Sequence, residues 1–332
     1  MMPLTHPRPL RPGDQVRVVA PSRSLAIIGE RERATPRLEE LGLRVTFGAH
    51  VEARDAFDSS PVLTRVADLH AAFADPEVAG ILTVIGGYNS NQLLPHLDFD
   101  LIAANPKVFC GYSDITALHN AILARSGLVT YSGPHWSTFG MRDHLDETVA
   151  WFRRALFTTD DLVVEPAAEW TDDAWYLDQD DRHPQPNDGW WVLAPGTASG
   201  RLVGGNLCTL NLLQGSPNLP SLRGAVLFVE DDLESQPHDF DRDLQSLLQL
   251  PEAAEVTGLV IGRFQRASGM TRELLTAIVA GLPNLDGKPV VANADFGHTS
   301  PLLTFPVGGD ARLEVAGDGV ALSIARGRSA AA

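Results

Sequence analysis

The chain has 332 residues, 44% of them hydrophobic and 20% charged; this composition excludes a disordered chain, and the length predicts two domains, each large enough for its own core. The formal charge of -16 argues against nucleic-acid polymers and anionic membrane surfaces as partners, because like charges repel. It leaves room for a single nucleotide in a local pocket.

Residues 1–12 carry basic residues and prolines but no apolar run of the kind a secretory leader needs. No stretch is long enough to span a bilayer, so a cytoplasmic protein is expected. Gln15 to Ala20 reads as a first strand that ends at Pro21-Ser22. Residues 29–41 have the charge pattern of a surface helix, in which Pro36 marks a late start, since proline is tolerated only in a first turn. Leu43 to Phe47 is a second strand, and Val62 to Phe73 a helix with apolar residues at 62, 63, 66, 69 and 73.

The stretch from 80 to 116 organises the chain. Ile81 to Ile85 is a short apolar run stopped by Gly86 and Gly87, and Val108 to Cys110 leads through Gly111 and Tyr112 to Ser113. Helical character resumes over Ala117 to Leu123, so Ser113 sits at a strand-to-helix turn. A hydroxyl there stands clear of the sheet edge beside unpaired helix N–H groups, the geometry of an activated nucleophile; the alternative is that Ser113 only caps the helix. Cys110 belongs to the strand and is the weaker nucleophile. Cys110 and Cys208 both lie in apolar sequence, which predicts reduced, structural thiols rather than a disulfide.

Strands and helices alternate through residue 125, which predicts a parallel α/β sheet with its site at the carboxyl ends of the strands. Gly86-Gly87 lacks the third glycine of a dinucleotide fingerprint. It reads instead as a donor surface, where the Gly87 N–H can converge with the Asp114 N–H on a developing oxyanion, or as a turn that needs glycine only for positive φ. Ile115 stands where an α/β-hydrolase elbow has glycine, which sets this chain apart from that fold.

Residues 158–197 mix acids, prolines and four tryptophans, as an interdomain connection or a lid would. The rings can stack on a base or sugar, or simply anchor a polar segment. A second domain begins near Ser199, with Gly204-Gly205-Asn206 ahead of the apolar segment Leu207 to Leu213. Gly224 to Val229 is a strong strand that runs into Glu230, a carboxylate in need of a partner; Asp231, Asp232 and Glu234 compete for any role there. Asp239 to Leu250 is a helix, Leu259 to Gly262 a strand, and Pro289 to Ala292 another, leading to Asp295-Phe296-Gly297-His298. His298 reads as a loop residue or a base. The other nine histidines show no metal-binding spacing, so neither metal nor cofactor is expected.

Gly-Gly-Tyr-Asn-Ser-Asn-Gln-Leu-Leu-Pro from Gly86, Gly-Tyr-Ser-Asp-Ile-Thr-Ala-Leu from Gly111 and Thr-Tyr-Ser-Gly-Pro from Thr130 resemble the serine LD-carboxypeptidase family, which includes microcin C self-immunity peptidases. Ala20-Pro21-Ser22, Gly204-Gly205-Asn206-Leu207, Leu227 to Asp231 and Phe296 to Thr299 extend the resemblance over most of the chain. It implies an α/β fold: an N-terminal parallel-sheet, Rossmann-like domain and a smaller C-terminal α/β or β-rich domain, with the active site at their interface. The boundaries expected are 1–157, a connection or lid at 158–197, and 198–332. The resemblance implies Ser113 as nucleophile, His298 as base, Glu230 as acid and the N–H groups of Gly87 and Asp114 as oxyanion hole, in a homodimer. It also implies one of two substrates, the aspartyl amide of a processed microcin C or similar aminoacyl nucleotide, or a murein tetrapeptide that loses its terminal D-alanine. Asn89-Ser90-Asn91 and the tryptophan-rich stretch point to the nucleotide, with Asn89, Trp175 and Trp190 as candidate substrate contacts. A catalytically silent binding protein of the same fold is the reading from another class.

Overall fold

The structure, a computed structural model, describes residues 3–29 and 31–325. Its first half follows the predicted alternation: β1 (Gln15–Val19), α1 (Ala34–Glu40), β2 (Arg44–Phe47), α2 (Val62–Ala74), β3 (Val78–Thr83), α3 (Phe99–Ala104), β4 (Val108–Gly111), α4 (Thr116–Ser126), β5 (Thr130–Ser132) and α5 (Asp146–Phe157). α1 starts late, with Pro36 in its first turn, because that ring fits where no backbone N–H is needed. The second half contains β6 (Leu162–Val164), β7 (Glu169–Trp170), β8 (Gln185–Pro186), β9 (Trp191–Ala194), β10 (Gly196–Asn206), α6 (Leu207–Asn211), β11 (Val226–Glu230), α7 (Pro237–Leu248), β12 (Gly258–Arg263), α8 (Arg272–Ala280), β13 (Val290–Gly297), β14 (Phe305–Val307), β15 (Asp310–Ala316) and β16 (Gly319–Ala325).

Two sheets result. The first has the order β14-β5-β4-β3-β1-β2, parallel from β5 to β2, with β14 antiparallel on its edge. The second, β6-β16-β15-β10-β11-β12-β13-β9, has a parallel centre, β10 to β13, with antiparallel flanks. It is the wider of the two. Part of the segment expected as a connection builds the flanks of this sheet: β6 pairs with β16 and β9 with β13, while β7 and β8 form a separate ribbon. β14 is lent in the other direction, from the second half to the first sheet.

The buried residues do not divide by half of the chain. Leu82, Cys110, Phe228 and Phe296 belong to one buried cluster, and Ile81, Phe109, Leu227 and Val229 to another. Successive strand residues point to opposite faces, so each cluster lies on one side of the strands and runs through both halves of the chain. Among the described residues no helix is long and apolar enough to cross a membrane.

Candidate active site

β4 ends at Gly111, the chain extends through Tyr112, and Ser113 takes φ 60° before α4 begins. That left-handed conformation costs a residue with a Cβ about 1–3 kcal/mol. Ser113 makes no capping bond to the helix, so the capping alternative fails. Gly86 vacates the space the hydroxyl occupies: a Cβ on it would stand 2.9 Å from Ser113 Cβ and 3.0 Å from Oγ. Gly87, at φ 154°, has no room either, since its Cβ would lie 2.2 Å from Ser22 Oγ.

His298 meets Ser113 from the other sheet. Its Nε2 lies 3.0 Å from Ser113 Oγ and its Nδ1 2.8 Å from Glu230 Oε2. Glu230 is 3% exposed at the end of β11. Gly262 and Gly297 leave space for it, since a Cβ on either would come within 2.7 or 2.8 Å of its side chain. Asp231 does not compete for the histidine. It accepts from Asn206 Nδ2 at 3.0 Å instead, and burial, then Glu230 and Asp232, push its pKa up to about 7. Burial works against a charge on His298, but the charge and hydrogen bond of Glu230 outweigh it and raise its pKa from 6.5 to about 8. With Nδ1–H donating to Glu230, the neutral ring leaves Nε2 free to accept the serine proton.

The two sheets are fastened together at this point. Asn206 N donates to Thr116 Oγ1 at 2.9 Å, Asn120 Nδ2 donates to the Gly204 carbonyl at 2.9 Å, and a Cβ on Gly205 would collide with Thr116 Oγ1 at 2.3 Å. The second double glycine therefore seats the helix that follows Ser113. Thr171 and Ser300 exchange both backbone hydrogen bonds at 2.8 Å, which ties the tryptophan-bearing segment to the loop after His298.

The carboxylate of Asp114 holds the opposite wall. Its Oδ2 accepts from Ser22 Oγ at 2.6 Å, Asn89 N at 3.0 Å and Ser90 N at 2.9 Å. Asn89 was expected to touch substrate, yet it is 4% exposed; its Nδ2 donates to Ser59 Oγ at 2.8 Å and its Oδ1 accepts from Arg65 at 3.2 Å. With both ends of its amide engaged, it supports the Gly87 loop from behind. Trp175 and Trp190 are half-buried and pack on the hydrophobic cluster. Trp175 lies edge-on to Tyr176 at 6.0 Å, and that ring is 57% exposed. Cys208, expected in apolar surroundings, is exposed on α6, while Cys110 is buried and burial drives its thiol pKa far up.

Sequence reasoning passed over His135 and Tyr112. His135 stacks on Tyr112 at 4.3 Å, Tyr112 lies 5.3 Å from the His298 ring, and Thr83 Oγ1 is 2.7 Å from His135 Nδ1. Burial, then the neighbouring His298 and His119, holds His135 well below the ordinary histidine pKa. Both residues adjoin recognised motifs, since Tyr112 precedes Ser113 and His135 follows Gly133-Pro134, but nothing in their local pattern announced a contact with the site.

Known proteins resemble this chain in sequence and fold. A sequence profile described as LD-carboxypeptidase N-terminal domain matches residues 16–133, and one described as LD-carboxypeptidase C-terminal domain matches residues 199–313. YocD of Bacillus subtilis (strain 168), named as a carboxypeptidase, is 50% identical over 307 residues, covering 92% of this chain and 94% of its own. The crystal structure of an MccF-like protein from Bacillus anthracis strain Ames superposes with a TM-score of 0.95 at 47% identity, over 96% of this chain and 98% of that one. MccF in complex with glutamyl sulfamoyl guanosine superposes with a TM-score of 0.88 at 28% identity, over 98% and 99%.

Proposed function

The chain belongs to the LD-carboxypeptidase family of serine peptidases, and from that premise we propose that it cleaves an amide through Ser113, His298 and Glu230, with an aminoacyl nucleotide as substrate. The observation that carries the reading is the continuous hydrogen-bonded chain from Ser113 Oγ through His298 to Glu230, assembled from widely separated parts of the sequence. Ser113 Oγ attacks the amide carbonyl while His298 Nε2 takes its proton, and Glu230 fixes the tautomer and balances the imidazolium. The N–H groups of Gly87 and Asp114 receive the oxyanion, held in register by the Asp114 carboxylate on the Gly87 loop. Collapse of the tetrahedral intermediate expels the amine, which receives its proton from His298. Water then releases the acyl group by the same steps in reverse.

The nucleotide reading is supported by the likeness to MccF structures, one of which holds glutamyl sulfamoyl guanosine, and by the aromatic segment fastened beside His298. The second reading, removal of the terminal D-alanine from a murein tetrapeptide, is favoured by the carboxypeptidase name of the 50% identical relative. Incubating the purified protein separately with an aspartyl amide of a nucleotide and with a murein tetrapeptide, then weighing the products by mass spectrometry, decides between them. Shortening of the tetrapeptide alone refutes the nucleotide reading. Turnover that survives Ser113→Ala refutes the mechanism.

A further inference from the structure

Arg23 follows directly on the Ala20-Pro21-Ser22 turn, and its position is fixed at both ends. Its N donates to the Gly86 carbonyl at 3.3 Å and its backbone bridges to Ser59. Its Cγ lies 3.0 Å from where a Cβ on Gly87 would stand, and its guanidinium lies over the Tyr88 ring, 5.9 Å from the centroid. The Nε is buried without a partner, and among the described residues the guanidinium makes no hydrogen bond or ion pair. Other arginines around the cleft are engaged: Arg65 by Gln92 and Asn89, Arg263 by Asp295, Arg266 by Asp172. In a chain with 42 acidic and 26 basic residues, an arginine that finds no acid is held where none reaches it. A partly desolvated cation with open donors is a site for an anion from outside.

Its place beside the nucleophile's turn points to an anion on the substrate. Gly86 abuts Ser113 Oγ and Gly87 abuts Arg23 Cγ, so one Gly-Gly turn separates the attacking oxygen from the stem of the Arg23 side chain, whose guanidinium lies over Tyr88. We propose that Arg23 recognises an oxyanion group on the leaving side of the scissile amide, an inference that rests on the amide-cleaving reading above. Both proposed substrates carry such a group next to the scissile nitrogen. In a peptide that loses its last residue it is the terminal carboxylate, one carbon beyond the nitrogen; in an amide of a nucleotide it is the phosphoryl group on the nitrogen itself. The planar fork of a guanidinium fits either.

The test compares the full chain with Arg23→Met on two substrate pairs: a tetrapeptide with a free terminal carboxylate against its C-terminal amide, and an aspartyl nucleotide phosphoramidate against an aspartyl amide of the same nucleoside that lacks the phosphoryl group. In the wild type, kcat/KM should favour the anionic member by about ten- to hundred-fold, the range expected for a charged hydrogen bond, and in Arg23→Met that preference should disappear. The pair that shows it identifies the anion as carboxylate or phosphoryl, and Arg23→Lys should restore only part of it. Equal losses on both members of each pair, or no loss on either, overturn the proposal. Binding of the same pairs to Ser113→Ala, with and without Arg23→Met, measures the same preference independently of turnover. Labelling of Ser113 by a neutral serine-reactive probe reads the nucleophile separately, so failure of the amide-cleaving reading is told apart from failure of this one.

Discussion

Replacing Glu230 by Gln tests the electrostatics of the site most sharply. With its pKa at about 8, His298 is neutral in about one molecule in ten at pH 7 and nine in ten at pH 9, so kcat/KM should rise about ten-fold over that interval. The move from 6.5 to about 8 is worth about 2 kcal/mol of preference for the imidazolium. Burial disfavours the charge and without Glu230 only Asp232 and Asp231 oppose it, so Glu230→Gln should lower the midpoint and flatten the profile toward pH 9. Activity should nevertheless fall, because a carboxamide can offer its own N–H to Nδ1 and so select the tautomer protonated at Nε2, which cannot accept the serine proton. In a comparable triad the equivalent change costs roughly 10⁴-fold in kcat. The stability effect has a definite sign. A raised histidine pKa contributes stability fully below the unfolded value of 6.5 and loses it as pH rises through about 8, so the deficit of Glu230→Gln in denaturant unfolding should shrink from pH 6 to pH 9. The assays are initial rates from pH 6 to 9.5 and urea titrations at the two ends. A wild-type profile flat across that range, or a midpoint unmoved in Glu230→Gln, refutes the reasoning.

Ser113→Ala, His298→Ala and the double variant should lose kcat to a similar extent, since members of one relay are not additive; a double variant far slower than either single one would separate the two residues. Gly86→Ala should fold yet lose at least about a hundred-fold in kcat, because the new methyl stands 3.0 Å from Ser113 Oγ and small displacements of a reacting atom cost about that much; thermal melts and steady-state rates check both halves. Trp175→Ala or Trp190→Ala should cost about 1–3 kcal/mol in kcat/KM on an aminoacyl nucleotide if the ring stacks on the base, and nothing on plain aspartyl amide. Equal loss on both substrates would assign the ring to propping the segment.

Features that local chemistry dictates were readable without the fold. The strand that leads toward Gly86-Gly87, which ends at Thr83, the turn that lifts Ser113, and the strand that delivers Glu230 were legible because glycine, β-branched runs and helix-forming stretches act over a few residues. β15 and β16 were legible in principle, since Asp310–Ala316 alternates exposed and buried positions, and were passed over for want of a motif. Through resemblance, the sequence also identified Ser113, Glu230 and His298 as members of one site. Which neighbours those residues meet depends on the packing of the whole chain. Asn89 is polar and sits in a recognised motif, yet Arg65 and Ser59 from separate elements consume its amide. Cys208 sits in an apolar run and is nevertheless exposed. The edges of the second sheet came from a segment that looked like a linker, because such short strands hold their shape only through partners far away in the chain. His135 and Arg23 lie just outside the recognised motifs, and Tyr112 lies inside one that gives no hint of its stacking on His135. Burial, stacking and the absence of a counter-charge are properties of surroundings, and surroundings exist only once both sheets have closed on the same site.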